Sequence, residues 1–304
     1  MPSAKLIYLN GHYLSPDDPT ARISPFDRGF LFGDSVYEVV LVYQGQLLQP
    51  DDHFDRLVRS LCLLDIPNPH SKPEYQNIAE QLINASPEKD LMLYLQVSRG
   101  MNLENPFYRQ VPCPDKKSLS PTVFAYVIPT IIPSTPEAYA RVMLTITQDI
   151  RWEKCEIKSN NLLPNVLIRT DAEACGAYDG LLLRDGHLNE CAGNNVFMVK
   201  EGKIFTPPDS PLMLSGTMRK HILRLAKQLG IACEERPISL QEALAADELW
   251  ACCTTRDILP VTHLLYEGNR LPVGHGEAGP VWRKVIEAVL KYRSTLLSKI
   301  APPA

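Results

Sequence analysis

Seven prolines fall between Pro106 and Pro136, at positions 106, 112, 114, 121, 129, 133 and 136. Proline fixes φ and removes a backbone donor, so no long helix crosses this stretch. The spacing predicts one apolar strand inside it, Thr122 to Ile128, and a linker after Pro129. The chain is therefore read as a domain over 1–130, a linker over 131–138 and a second domain over 139–304. A length of 304 residues fits two domains of ordinary size, at about 150 residues each.

Both halves mix strands and helices. Lys5 to Leu9 and His12 to Leu14 flank Asn10-Gly11, the signature of a tight hairpin. Ser35 to Tyr43 and Gln46 to Leu48 read as a second hairpin, His53 to Leu64 as a helix and Leu91 to Val97 as a strand. Beyond the linker, strands are expected at Arg141–Thr147, Gly180–Leu183, Asn195–Lys200, Glu248–Cys253 and Val261–Tyr266. Helices are expected at Leu162–Gly176, Met218–Leu229 and Pro280 to about Leu297. No regular βαβ alternation appears, so the fold class is α+β in two domains and not one doubly wound sheet.

Composition narrows the function. The balance of 31 basic against 35 acidic residues supplies no basic field for nucleic acid. The most apolar stretch, Phe124 to Ile132, is broken by Pro129 and falls short of the ~20 residues a membrane span requires. The stretch MPSAKLIYLNG has no basic n-region followed by an apolar h-region, so no signal peptide is expected. The eight cysteines are scattered with no C-x-x-C pair. That argues for reduced thiols in a cytoplasmic protein, with neither a structural metal nor a disulfide framework.

Several residues carry possible chemistry. Gly274 to Gly279 spells G-x-G-x-x-G, but no strand can follow it in a dinucleotide unit, so it reads as a turn before the last helix. Leu214-Ser215-Gly216-Thr217-Met218-Arg219 runs into a strong helix whose N–H groups suit an anion. Thr254-Thr255 ends a strand with two hydroxyls. Lys158 has the chemistry of a nucleophile and base if desolvated. Glu190 precedes a turn and an apolar strand, and a carboxylate beside a ring nitrogen keeps that nitrogen protonated. Arg56, after His53 and Asp55, can grip a phosphate in a forked contact.

In order along the chain, Asp27 to Glu38, Asp52 to Leu57, Lys158 to Leu163, Glu190 to Phe197, Leu214 to Arg219 and Thr254-Thr255 resemble the fold-type IV pyridoxal phosphate enzymes. This family holds D-amino acid transaminase, branched-chain aminotransferase and aminodeoxychorismate lyase. The resemblance runs from about residue 5 to about residue 293. It implies a small N-terminal α/β domain and a larger, β-barrel-like cofactor domain. It implies pyridoxal 5'-phosphate as cofactor, an amino acid and a 2-oxo acid as substrates, and a homodimer. Lys158 takes the place of the lysine that forms a Schiff base with the cofactor, and Glu190 that of the carboxylate facing the pyridine nitrogen. Arg56, Thr217, Met218 and Thr254 take the phosphate contacts, Leu214 packs on the ring and Tyr37 lies on the substrate side.

The motifs Arg28-Gly29-Phe30, Val36-Tyr37-Glu38 and Asp149-Ile150-Arg151-Trp152 look most like D-amino acid transaminase. L-branched-chain aminotransferase and the lyase are the alternatives. One departure stands out. Arg99-Gly100 is followed by Met101-Asn102-Leu103-Glu104, with no Arg-x-His to bind the substrate carboxylate. Arg99 is placed on the substrate side, and Arg109, Arg151 and His53 are further candidates for that carboxylate.

Overall fold

The computed structural model describes residues 4–113 and 115–298. The two sequence-assigned domains extend beyond these at both ends. The chain forms two compact units. One runs through Ile132 and includes Ile157–Asn161; the other comprises Pro133–Glu156 and the chain from Leu162 onward. The segment that carries Lys158 therefore belongs with the first unit, although it lies inside 139–304.

The first unit contains β1 (Ile7–Leu9), β2 (His12–Leu14), α1 (Arg28–Phe32), β3 (Ser35–Tyr43), β4 (Gln46–Leu47), α2 (Pro50–Leu63), α3 (Lys72–Asn84), β5 (Leu91–Asn102) and β6 (Leu119–Pro129). Its antiparallel sheet has the order β2-β1-β6-β5-β3-β4. The β1–β2 turn places Asn10 at φ 48° and Gly11 at φ 92°, the mirror-image geometry that matches strand twist. Alternation sorts the sheet into two faces. Val36, Val40, Leu93, Leu95, Val97, Val123 and Ala125 enter the core with Phe54, Leu57 and Leu61 of α2 and Tyr75, Ile78 and Leu82 of α3. The opposite face carries Tyr37, Tyr94, Gln96, Phe124 and Tyr126.

Two strands run further than their sequence suggested. β5 continues past Val97 to Asn102 because Gly100, at φ 72°, allows a bulge between Ser98 and Met101. A Cβ there would stand 1.6 Å from the Ser120 carbonyl oxygen. β6 takes in Pro121 beside the same irregularity, where ladder pairing is already interrupted.

The second unit contains β7 (Val142–Gln148), α4 (Leu163–Ala174), β8 (Asp179–Arg184), β9 (His187–Cys191), β10 (Asn195–Lys200), β11 (Lys203–Thr206), α5 (Thr217–Gln228), β12 (Cys233–Glu235), α6 (Leu240–Leu244), β13 (Glu248–Cys253), β14 (Asp257–Tyr266), β15 (Asn269–Pro272) and α7 (Pro280–Ser298). The sheet order is β12-β11-β10-β13-β14-β7-β8-β9, with β15 on β14. β9 returns against β10, so the sheet curls. Its core holds Phe197, Trp250 and Leu249 of the strands, Ile222 and Leu225 of α5, and Trp282, Val285 and Ile286 of α7.

The glycine-rich turn before α7 is structural. Glu248, 5% exposed, accepts hydrogen bonds from the N–H groups of Val281 and Trp282, both at 2.8 Å, and from Trp250 Nε1 at 3.0 Å. Gly279 makes room for it, since a Cβ would lie 2.0 Å from the Glu248 carboxyl carbon. No helix among the described residues is long and apolar enough to cross a membrane.

Candidate active site

The lysine segment extends the first unit's sheet. Ser159 bridges Val36 in antiparallel fashion. Tyr37 N–H donates to the Lys158 carbonyl at 3.0 Å and Asn160 N–H to the Ser35 carbonyl at 3.1 Å. Directly opposed residues point to one face, so Lys158 shares a face with Tyr37 and Asn160 with Ser35. Lys158 Nζ stands 4.0 Å from the Tyr37 ring centroid. That ring stacks on Tyr94 at 5.7 Å. Asn160 accepts from Ser35 Oγ at 2.8 Å and donates to the Tyr94 hydroxyl at 3.1 Å. Ser60 of α2 accepts the Lys158 N–H at 3.3 Å. Lys158 is thus held at both flanks by backbone pairing, with its side chain on the aromatic face.

On the core side, Arg56 and His53 meet Glu38, which is fully buried. Glu38 accepts from Arg56 Nε at 2.7 Å, Arg56 Nη2 at 2.8 Å and His53 Nδ1 at 2.7 Å. Burial alone would raise the Glu38 pKa, but the Arg56 guanidinium and then His53 hold it down at about 2. Burial likewise lowers the His53 pKa, against the pull of Glu38. Glu38 carried no assigned role in the sequence, although it lies in the matched motif. It fixes the only guanidinium assigned to the phosphate.

Arg99, expected on the substrate side, donates from Nε to Asp34 Oδ2 at 2.7 Å, from Nη1 to the Asp65 carbonyl at 2.9 Å and from Nη2 to the Leu64 carbonyl at 2.7 Å. At 6% exposure it clamps the end of α2 to the β3 approach, and all three nitrogens of its fork are engaged. His53, bound to Glu38, and Arg151, described next, are also committed within the chain. Arg109 is exposed, with its guanidinium 4.7 Å from the Phe32 ring centroid.

In the second unit, Glu190 lies in the last two residues of β9 and is 3% exposed. Its Oε1 accepts from Arg151 Nη1 at 2.7 Å and from the Leu214 N–H at 3.1 Å. Its Oε2 accepts from Asn195 Nδ2 at 2.9 Å. Burial raises the Glu190 pKa, and Arg151 opposes that rise. Arg151 is fixed in turn by Asp149, whose two oxygens take its Nε and Nη2, both at 2.9 Å. Asn195 Nδ2 also donates to the Leu214 carbonyl, and Asn189 Nδ2 bridges Asp149 and the Leu212 carbonyl. These two asparagines tie the 212–214 segment to β9 and β10. Asp179 accepts from the Gly193 N–H and Asn194 Nδ2, and so shapes the turn after Glu190.

Gly216 caps α5. A Cβ there would lie 2.1 Å from Asn195 Oδ1, so only glycine brings the helix start this close to the Glu190 network. Thr217 opens the helix, and its hydroxyl lies 3.2 Å from that of Thr254 after β13. The Met218 side chain packs in the core, leaving its backbone as the part near the helix start. Glu190, Leu214, Thr217, Met218 and Thr254 thus gather in one unit, and Tyr37, Arg56 and Lys158 in the other. Arg151, Asn195, Asp149 and Asp179 escaped notice in the sequence as parts of the Glu190 setting. Asp149, Arg151 and Asn195 lie in the motifs of the resemblance, and no local signal singles out Asp179.

The residues suit a phosphorylated pyridine. A carboxylate has about four acceptor positions, and three donors reach Glu190, so Oε2 retains capacity for a ring N–H. The start of α5 with two facing hydroxyls suits a phosphate.

Residues 35–264 match the family model described as amino-transferase class IV. The chain is 33% identical over 295 residues to a D-alanine aminotransferase of Bacillus licheniformis, covering 97% of this chain and 98% of that protein. It is 34% identical over 280 residues to a D-alanine aminotransferase of Listeria monocytogenes serotype 4b (strain F2365), covering 92% and 93%. Among solved structures, a branched-chain amino acid aminotransferase of Escherichia coli aligns with TM-score 0.84 at 25% identity, covering 95% and 94%. A branched-chain amino acid aminotransferase of Thermobaculum terrenum in its PLP form aligns with TM-score 0.80 at 22% identity, covering 95% of each chain, which bears on fold alone.

Proposed function

Because the chain belongs to the class IV aminotransferases, we propose that it moves the amino group of a D-amino acid to a 2-oxo acid, with pyridoxal 5'-phosphate as cofactor. The observation that carries the cofactor reading is the Glu190 carboxylate, buried and oriented by Arg151, Asn195 and the Leu214 N–H. When bound, the cofactor supplies a carbonyl for the amino group and a ring that draws electrons from the substrate Cα. Glu190 holds a proton on the ring nitrogen, and Arg151 keeps Glu190 charged for that purpose. Thr217, Met218 and Thr254 would hold the phosphate, Arg56 would add its charge, and Leu214 would pack against the ring. Lys158 Nζ is the group that would hold the cofactor and, when substrate is bound, would move the Cα proton. Tyr37 orients Lys158 from the sheet face. The 2-oxo acid formed from the donor leaves before the acceptor 2-oxo acid enters, so kinetics are ping-pong.

The D preference rests on the D-alanine aminotransferase relatives at 33% and 34% identity; the branched-chain structures stand at 25% and below. The protein works in the cytoplasm as a homodimer. The second copy covers the exposed Leu103, Phe107, Tyr108 and Val111 on the loop between β5 and β6.

The test is a half-reaction. Cofactor-loaded protein receives D-alanine or L-leucine alone, and the absorbance of the bound cofactor is followed. Bleaching with D-alanine only is expected, and Lys158→Ala abolishes it. Bleaching with L-leucine only makes the protein a branched-chain enzyme. Pyruvate release without a 2-oxo acid acceptor makes it a lyase.

A further inference from the structure

The aromatic face of the first unit's sheet leads from Lys158 into a cavity. Cross-strand pairing places Tyr37 opposite Gln96, Tyr94 opposite Tyr126, Gln96 opposite Phe124 and Ser98 opposite Thr122. Lys158 lies on this face at Tyr37, and Asn160, two residues on, is about 7 Å further along it. Asn160, Gln96 and Phe124 line a cavity of about 480 Å³, within the range of about 300–1,000 Å³ of small-molecule sites. Its apolar walls are Phe124, Phe30, Ile23 and Pro25.

Charge sets what this space accepts. Among the described residues that line it, Asp27 is the one ionisable group. Asp27 is 3% exposed and already accepts from the Gly29 N–H at 2.7 Å, Ser98 Oγ at 2.9 Å and Thr122 Oγ1 at 2.6 Å. The neutral amides are likewise engaged. Gln96 accepts from the Tyr94 hydroxyl at 2.8 Å and donates to Ser35 Oγ at 3.3 Å, and Asn160 bonds Ser35 and Tyr94. A carboxylate placed here finds no cation and faces Asp27. An aromatic or branched apolar side chain finds walls of its own kind.

We propose that this cavity receives the side chain of the amino donor, and that the enzyme therefore favours bulky uncharged amino acids over acidic ones. The proposal rests on the transaminase reading and deepens it. Asp27 closes the floor, Gln96 and Asn160 hold the aromatic wall upright, and Phe124 faces the occupant.

The experiment compares alanine, phenylalanine and glutamate as amino donors to the cofactor-loaded protein, each in the enantiomer that reacts. Calorimetry with 3-phenylpropionate and glutarate gives a readout without turnover. Phenylalanine is expected to exceed glutamate in kcat/KM by about tenfold or more, and 3-phenylpropionate to bind tighter than glutarate by a similar factor. Gln96→Arg places a guanidinium in the cavity and shifts the ratio toward glutamate by about tenfold. Phe124→Ala raises KM for phenylalanine by a larger factor than for alanine. Glutamate matching phenylalanine while alanine reacts overturns the proposal and leaves the transaminase reading standing. A folded Gln96→Arg protein with an unmoved ratio also overturns it. No reaction with any amino acid overturns both.

Discussion

Replacing Arg151 by Met tests the charge arrangement around Glu190. Arg184, Asp149, Arg151 and Glu190 alternate in sign, with contacts of 3.3, 2.9 and 2.7 Å. Without Arg151, two buried carboxylates face one guanidinium. Removing one partner of a buried pair costs about 3–5 kcal/mol. The cost depends on pH. Burial already raises the Glu190 pKa above its ordinary 4.5, and loss of Arg151 raises it further. A carboxylate raised in this way contributes fully below its unfolded pKa and loses that contribution as pH climbs through the folded value. Parent and variant therefore lose stability together just above 4.5. Their gap should then widen by about 1.4 kcal/mol per pH unit between the parent's folded value and the variant's higher one. Asp149, robbed of the same guanidinium, adds in the same direction.

Denaturant unfolding of the cofactor-free protein at acid, neutral and mildly alkaline pH measures the gap. Glu190→Gln added to Arg151→Met removes the stranded charge, so the pair should couple by about 2 kcal/mol. The same Glu190→Gln change alone should lower turnover and leave much of the cofactor bound. A gap that does not change with pH, or a double variant as unstable as the sum of its parts, refutes the reasoning.

Glu38 behaves with the opposite sign. Its folded pKa of about 2 lies below the ordinary 4.5, so its stability contribution is complete above 4.5 and is lost as pH falls toward 2. Acid titration of stability should show this loss, about 3 kcal/mol for the fully buried group, and Glu38→Gln should flatten it. Gly216→Ala forces a Cβ onto Asn195 Oδ1, the amide that also steadies Glu190 and Leu214. Equilibrium dialysis should show cofactor affinity falling by about tenfold in this variant, with the protein still folded.

Much of the fold was legible where a local pattern decides it. The Asn10-Gly11 turn, the Met218–Leu229 stripe and the proline at the start of α7 each announce themselves over a few residues. α3 carries a local pattern of the same kind. Tyr75, Ile78, Ala79, Leu82 and Ile83 follow a helical period behind Ser71 and Glu74, whose carboxylate accepts the Ser71 N–H at 2.7 Å. The helices α1 and α6, of five residues each, and short strands such as β12 and β15 are too brief for periodicity to show. Strand order, and the return of Ile157–Asn161 to the first unit, depend on pairings between distant residues that spacing cannot reveal.

The candidate site divides the same way. Lys158, Glu190 and Thr254 could be named because family order singles them out. For Arg99, sequence supplies a cation without its neighbours, which are Asp34 and two backbone carbonyls. Arg151 was weighed for a substrate carboxylate and instead serves one of the protein's own. Which anion a buried arginine meets is a matter of tertiary contact.

The turn at Gly274–Gly279 shows how one physical requirement writes the same letters for different ends. In a dinucleotide site a glycine admits a phosphate to a helix start. Here Gly279 admits Glu248, and the negative guest is built into the chain. The start of α7 is thereby self-plugged, whereas α5 begins at a glycine that brings no anion of its own. Of the two helix starts, one carries its counter-charge within the chain, and the other is the one assigned to a phosphate in the proposed function.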